Sequence, residues 1–393
     1  GTYTITNLIR LKNRVTLKGF GNPTVRLIDN STIPYSLFVY EGPEVTDINL
    51  EGFTIDANRE NNFDQGEPDA EGNQSKYHVG SLLTVVNLTN VSRFYIRNMR
   101  IINSYGSAIW INDCNGGDIS DNILLNYRVT GVAIRNNTNN LVTSRDLEIR
   151  NNICYGGVIG IHSIFGSERL SIVNNFCFNN RDSNKFLPFA YGGTYPNVYP
   201  LTGNFNRPGD SAYVNPAFEG DGAGIEFTGF YTSEVSGRNR FSVISNNILY
   251  DNMIGVRLEE ETTNVTVNSN VCINNNMHGI FVFSSSYNQV SSNVCTGNGF
   301  NGIHVEKLTG RLVPELNTIT GNTCTKNNGF GIALYGARRN IITSNNVSDN
   351  NVNTNVIGGG IGLHYTDNTA SERNLITNNN MVAYNGLDQY GVY

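Results

Sequence analysis

The chain has 393 residues, a formal charge of -6, 41 glycines and only 15% charged side chains. Phosphate recognition needs a basic stripe, so this mildly acidic balance offers no footprint for nucleic acid. No stretch reaches the ~18 uninterrupted apolar residues of a membrane span. A composition this polar is compatible with disorder, but regularly spaced Val, Ile and Leu argue for a packed chain.

The chain opens in strand-like alternation at Gly1-Thr2-Tyr3-Thr4-Ile5, with no signal peptide before it, so a further N-terminal segment is expected. Similar stretches follow at Val15-Thr16-Leu17-Lys18 and Leu50-Glu51-Gly52-Phe53-Thr54-Ile55-Asp56. Residues 57–80 then form a polar excursion.

Beyond it the sequence repeats. Asn122, Asn152 and Asn175 each stand two residues before an apolar residue or cysteine, as do Asn247, Asn270, Asn293, Asn322, Asn345 and Asn380. From Asn247 to Asn345 the spacings are 23, 23, 29 and 23 residues. Five residues after most of them stands a second asparagine: Asn180, Asn252, Asn275, Asn298, Asn327, Asn350 and Asn385. A Gly-(Ile/Val) strand motif recurs at Gly131, Gly160, Gly224, Gly255, Gly279, Gly302, Gly331 and Gly360.

Short alternating strands at a period of about 23 residues, without helical spacing, indicate a solenoid. The Leu-x-x-Leu-x-Leu skeleton of leucine-rich repeats is absent. The expected fold is all-β: a right-handed parallel β-helix, single-stranded, in one domain spanning residues 1–393. Coils ~4.8 Å apart put like residues above one another. Turn asparagines then form a ladder through their side-chain amides and tolerate left-handed backbone. Cys154, Cys177, Cys272, Cys295 and Cys324 share a column two residues after the ladder asparagine. Without Cys-x-x-Cys spacing or accompanying histidines, they read as buried thiols.

Residues 181–222 form a longer excursion with Phe186, Phe189, Tyr191, Tyr195, Tyr199, Phe205, Tyr213 and Phe218. Such loops carry function or simply pack on the solenoid flank. Tyr191 and Tyr195 are candidate sugar-stacking residues.

Aligning the Gly-Ile strands yields two outward columns. The first reads Ala108, Ala133, His162, Glu226, Arg257, Phe281, His304, Ala333, Gly362. The second reads Trp110, Arg135, Ile164, Thr228, Glu259, Phe283, Glu306, Tyr335, His364. Charged residues are scarce, so their clustering on adjacent coils singles out a patch. Glu226 and Glu259 are expected roughly 8 Å apart between Cα atoms, and Glu259 and Glu306 roughly 9–10 Å. Those separations suit an acid and a base flanking a glycosidic bond.

In this reading Glu226 and Glu259 are acid and base, with Arg257 and His162 in the catalytic group. His304, Glu306 and Phe281 bind substrate. A base beside a neutralised uronate would instead give lyase chemistry. Cross-strand ion pairs on a sugar-binding or plain solvated face are the alternatives. The run Glu259-Glu260-Glu261 reads as a solvated turn. No metal or cofactor is assigned; a calcium loop of the Asp-x-Asx-x-Asx-Gly type is absent.

The repeat pattern resembles the pectate-lyase-like superfamily of right-handed parallel β-helices over nearly the whole chain. The opening stretch through Val15-Thr16-Leu17-Lys18-Gly19-Phe20-Gly21 and the segment Leu50 to Arg59 resemble the first coils of phage tailspikes and mannuronan epimerases. In those families a capping segment precedes the first coil; a C-terminal domain beyond residue 393 is left open. The epimerases carry Tyr-Gly-Phe-Asp-Pro-His, whereas this chain has Tyr105-Gly106-Ser107-Ala108-Ile109-Trp110 and lacks the acid and the histidine. Calcium, which pectate lyases bind through an acidic cluster, finds no matching cluster here. The tailspike resemblance implies a homotrimeric, virion-surface or extracellular protein that binds a polysaccharide or cell-surface glycan and depolymerises it. Its alternatives are a non-enzymatic receptor-binding adhesin and a secreted uronate lyase or epimerase.

Overall fold

A computed structural model describes residues 1–29, 36–58, 84–104, 106–127, 129–136, 144–181, 222–231, 236–352, 358–366 and 369–382. Among these there is no helix, hence none long and apolar enough to cross a membrane. The strands form three long parallel sheets. One runs from Thr2–Ile5 to Asn380–Val382, the second from Val15–Lys18 to Leu375–Thr377, and the third from Ile9–Arg10 to Gly359–His364. Each coil visits the first, third and second sheets in turn, winding a right-handed parallel β-helix.

The interior consists of short apolar columns. In the third sheet Ile161, Ile225, Val256, Ile280, Ile303 and Ile332 stack in register, all fully buried. Cys272, Cys295 and Cys324 stack likewise, as do Cys154 and Cys177. All are buried and free, as small core residues rather than bridges. The glycine column keeps this corner narrow: a Cβ on Gly255 would lie 2.3 Å from the carbonyl oxygen of Gly279.

Asparagine ladders hold the turns. Asn270 shows the unit: Nδ2 donates to Asn293 Oδ1 (3.0 Å) and to Ile244 O (2.9 Å). Its Oδ1 accepts from both the backbone N–H and the side chain of Asn247. The side chain's polar groups are thus paired away from water. The ladder runs from Asn122 to Asn379, with Asn379 rather than Asn380 stacking on Asn345. Asn380 lies one residue on, in register with Asn346. The second ladder joins Asn180 to Asn350; Asn385 lies outside the described residues. A third, not anticipated, runs through Asn288, Asn317, Asn340 and Asn374. The left-handed residue is the one before each ladder asparagine, as at Asn246, Ser269 and Ser292. That residue makes the turn, leaving the ladder amide aligned with its copies.

The outward columns keep the expected register from Ala133 to Gly362 and from Arg135 to His364. One coil departs from it. Trp110 pairs with Ala133 and Asn112 with Arg135, so Ala108 and Trp110 sit two residues from their expected places. Ala108 stands where later coils carry glycine, and Gly106 belongs to the preceding turn.

Candidate functional site

The outward face of the third sheet is dry. His162 is 9% exposed, Glu226 5%, Glu259 7% and His304 2%. Phe281 and Phe283 pack there with Val158, Ile159, Ile254 and Leu308 in a second apolar cluster outside the main core. The patch is therefore not a solvated strand face. Its ionisable groups are buried or, for Arg257 and Glu306, 12% exposed, and they are mutually paired, as poorly solvated charges must be.

Three clusters follow one another along the stack. In the first, Thr228 donates its hydroxyl proton to Glu226 Oε1 at 2.7 Å. That leaves Thr228 Oγ1 to accept from His162 Nε2 at 3.1 Å. His162 thereby reaches Glu226 through the threonine, with its own Nε2 3.7 Å from the carboxylate. In the second, Arg257 Nη2 lies 3.1 Å from Glu259 Oε1. In the third, His304 Nε2 lies 2.9 Å from Glu306 Oε2. Phe283 stands between Glu259 and Glu306 in the same column.

The third cluster is electrostatically unlike an exposed pair. Burial pushes the Glu306 carboxyl up to about 7. Burial, with the nearby His364, pulls His304 down to about 3. Between those values both are neutral, because a dry site penalises either charge. Tyr335 is pushed up to about 12 by burial and by Glu306. His278, fully buried, is held well below the usual histidine range by burial, His304 and Arg257.

Histidines and aromatics continue the stripe. His278 stacks on His304 with centroids 4.4 Å apart, and Tyr335 stacks on His364 at 4.5 Å. The stripe opens beyond them, where Tyr365 is 64% exposed.

All seven described candidates, His162, Glu226, Arg257, Glu259, Phe281, His304 and Glu306, lie on this one face. Tyr191 and Tyr195 lie outside the described residues. Sequence reasoning missed His278 and Asn301, which stand just before the recurring glycines. Their signal was a polar residue where neighbouring coils place Ile254 and Phe330.

Glu260 and Glu261 do not form a solvated turn. They are 3% and 8% exposed, and with Ser284, Gly310, Arg311 and Leu312 they line a cavity of about 110 Å³. Arg311 approaches Glu260 at 3.5 Å and Arg238 approaches Glu261 at 2.8 Å.

Two family models match parts of the chain. One, described as right handed beta helix region, matches residues 278–393. The other, periplasmic copper-binding protein (NosD), matches residues 215–314. Copper finds no fitting donor set: among the described residues no three His, Cys, Asp or Glu converge on a metal position. His278 and His304 stack face to face, and the cysteines lie in the core. Comparison with curated proteins gives no match.

Among solved structures, the chain resembles the mannuronan C-5 epimerase AlgE4 A-module of Azotobacter vinelandii. Identity is 12% and the TM-score 0.65, covering 96% of this chain and 89% of that one. A mutant of the periplasmic alginate epimerase AlgG matches with 14% identity and a TM-score of 0.63, covering 97% and 78%. At these identities the likeness concerns the fold. With its three parallel sheets and these likenesses, the chain has the right-handed parallel β-helix fold, and residues 278–393 match the right handed beta helix family model.

Proposed function

We propose that this β-helix binds a polysaccharide outside the cytoplasm and depolymerises it by acid–base chemistry on the outward face of the third sheet. One observation carries the reading. Glu259, paired with Arg257, and Glu306, near neutrality beside His304, occupy one column two coils apart. A carboxyl titrating near neutral pH is suited to proton donation, and a carboxylate held by a guanidinium is suited to accept. Their Cα atoms are roughly 9–10 Å apart by strand spacing. A spacing of that order leaves room for the water that an inverting mechanism places at the glycosidic carbon. Phe283, between Glu259 and Glu306 and packed against Phe281, holds the two coils apart.

This reading moves the acid from Glu226 to Glu306, whose carboxyl burial pushes up to about 7 beside His304. Glu226 and His162 then orient the glycan. The polysaccharide-acting neighbours support the substrate class, and a periplasmic neighbour supports the location. A tailspike-like surface protein, with the homotrimer that form implies, is the finer version. Sedimentation velocity at three times the chain mass is its expected result.

The burial of the whole patch favours a second reading, a non-catalytic adhesin in which these pairs only pack the sheet face. Incubation with a panel of capsular, teichoic and uronate polysaccharides separates the two. New reducing ends without the ultraviolet absorbance of an unsaturated uronate mean hydrolysis; with it, elimination. Binding without product leaves the adhesin.

A further inference from the structure

We infer that Asn301 is a positioning residue that sets the tautomer of His304 and so aims an N–H at Glu306. The inference rests on Glu306 acting as the acid.

Asn301 is fully buried, so its amide orientation is decided by its neighbours. The backbone N–H of Phe330 can only donate, and it lies 2.7 Å from the Asn301 side-chain oxygen. The oxygen must face Phe330, and the NH₂ group therefore faces His304. Nδ2 of Asn301 lies 2.7 Å from Nδ1 of His304. An amide NH₂ has only hydrogens to offer, so Nδ1 must present its lone pair. In a neutral imidazole the proton is then on Nε2, the nitrogen 2.9 Å from Glu306 Oε2.

The chain of donation runs Phe330 N–H to Asn301, Asn301 to His304, and His304 to Glu306. It leaves the other carboxyl oxygen of Glu306 to carry the transferable proton. Asn301 acts a second time through its backbone, whose N–H points to Nδ1 of His278 at 3.4 Å. Both stacked imidazoles are thereby Nε2–H tautomers. The titratable groups around His304 are Glu306, His278, His364 and Tyr335, with Arg257 beyond His278. None supplies Nδ1 with an acceptor that would reverse the assignment.

Asn301→Asp tests this with little change in shape. One aspartate oxygen still accepts from Phe330; the other demands a proton on Nδ1 of His304. Selective ¹⁵N labelling of the five histidines reads the tautomer directly, with His304 identified by loss of its signals in His304→Gln. The native protein should show a pyridine-like Nδ1 and a pyrrole-like Nε2, and Asn301→Asp should make Nδ1 pyrrole-like. A pyridine-like Nε2 in the native protein overturns the inference, as does an unchanged Nδ1 in the variant. On a cleaved polysaccharide, Asn301→Asp should lower kcat about 10-fold or more and displace the pH profile, with KM little changed. If the tautomer reverses while kcat and the pH profile stay, the tautomer assignment stands and the acid role of Glu306 falls.

Discussion

His304 Nε2 and Glu306 Oε2 lie 2.9 Å apart on a sheet face nearly as dry as the core. Each group has a pH signature in stability. The folded Glu306 carboxyl titrates at about 7 against 4.5 for the unperturbed group, so the folded chain holds an extra proton between those values. Stability from Glu306 is complete below the lower value and is lost as pH rises through the upper one. Glu306→Gln abolishes that loss. Relative to the native protein, the variant should gain up to about 3 kcal/mol between about pH 4 and about pH 8, read by denaturant titration. It should also lower kcat at least ~100-fold if Glu306 donates the proton.

His304 works in the opposite direction. Its folded value near 3 lies below 6.5, so the unfolded chain binds the extra proton between them. Stability is lost as pH falls from the higher value toward the lower. His304→Gln should flatten this acid-side slope, leaving the part due to His278 and His364, which are shifted the same way. An unchanged slope in acid denaturation would exclude His304 as a buried neutral imidazole.

Arg257 and Glu259 are half of a dry ion pair each, with side chains 12% and 9% exposed. Removing only the cation strands a carboxylate in a low-dielectric site. Arg257→Met should cost about 3–5 kcal/mol, and adding Glu259→Gln should recover most of it. A double-mutant cycle by chemical denaturation should yield a coupling of about 3 kcal/mol or more, at least the stability that the second substitution recovers. Additive effects would show that the two side chains act independently.

The ladder should respond according to depth. Asn270→Ala removes a fully buried amide and leaves partners above, below and on the Ile244 carbonyl unsatisfied. The expected cost is about 3 kcal/mol or more. Asn379→Ala, at the half-buried end, should cost about 1 kcal/mol. The comparison is of thermal midpoints, with the interior variant falling further.

The seven described candidates came onto one face because the repeat puts equal offsets at equal positions around the coil. The mislocated Trp110 shows where that argument weakens. Its coil has Ala108 in place of the guiding glycine, so counting from Gly106 slips by two residues. Asn379 and Asn380 show the same hazard in a run of asparagines, where only the strand register identifies the ladder member. Glu260 and Glu261 were misread because an acidic run looks solvated, whereas arginines from two other coils meet these carboxylates.

By itself the sequence determined the coil, two of its three ladders and which side chains face outward from Ala133 onward, since these follow from translation along one axis. Tertiary structure alone decided that the outward stripe is dry, that Glu306 titrates near neutrality, and that Asn301 orients His304. Those properties depend on groups brought together across coils and on the water they exclude. A residue's place in a repeat carries no information about what covers it.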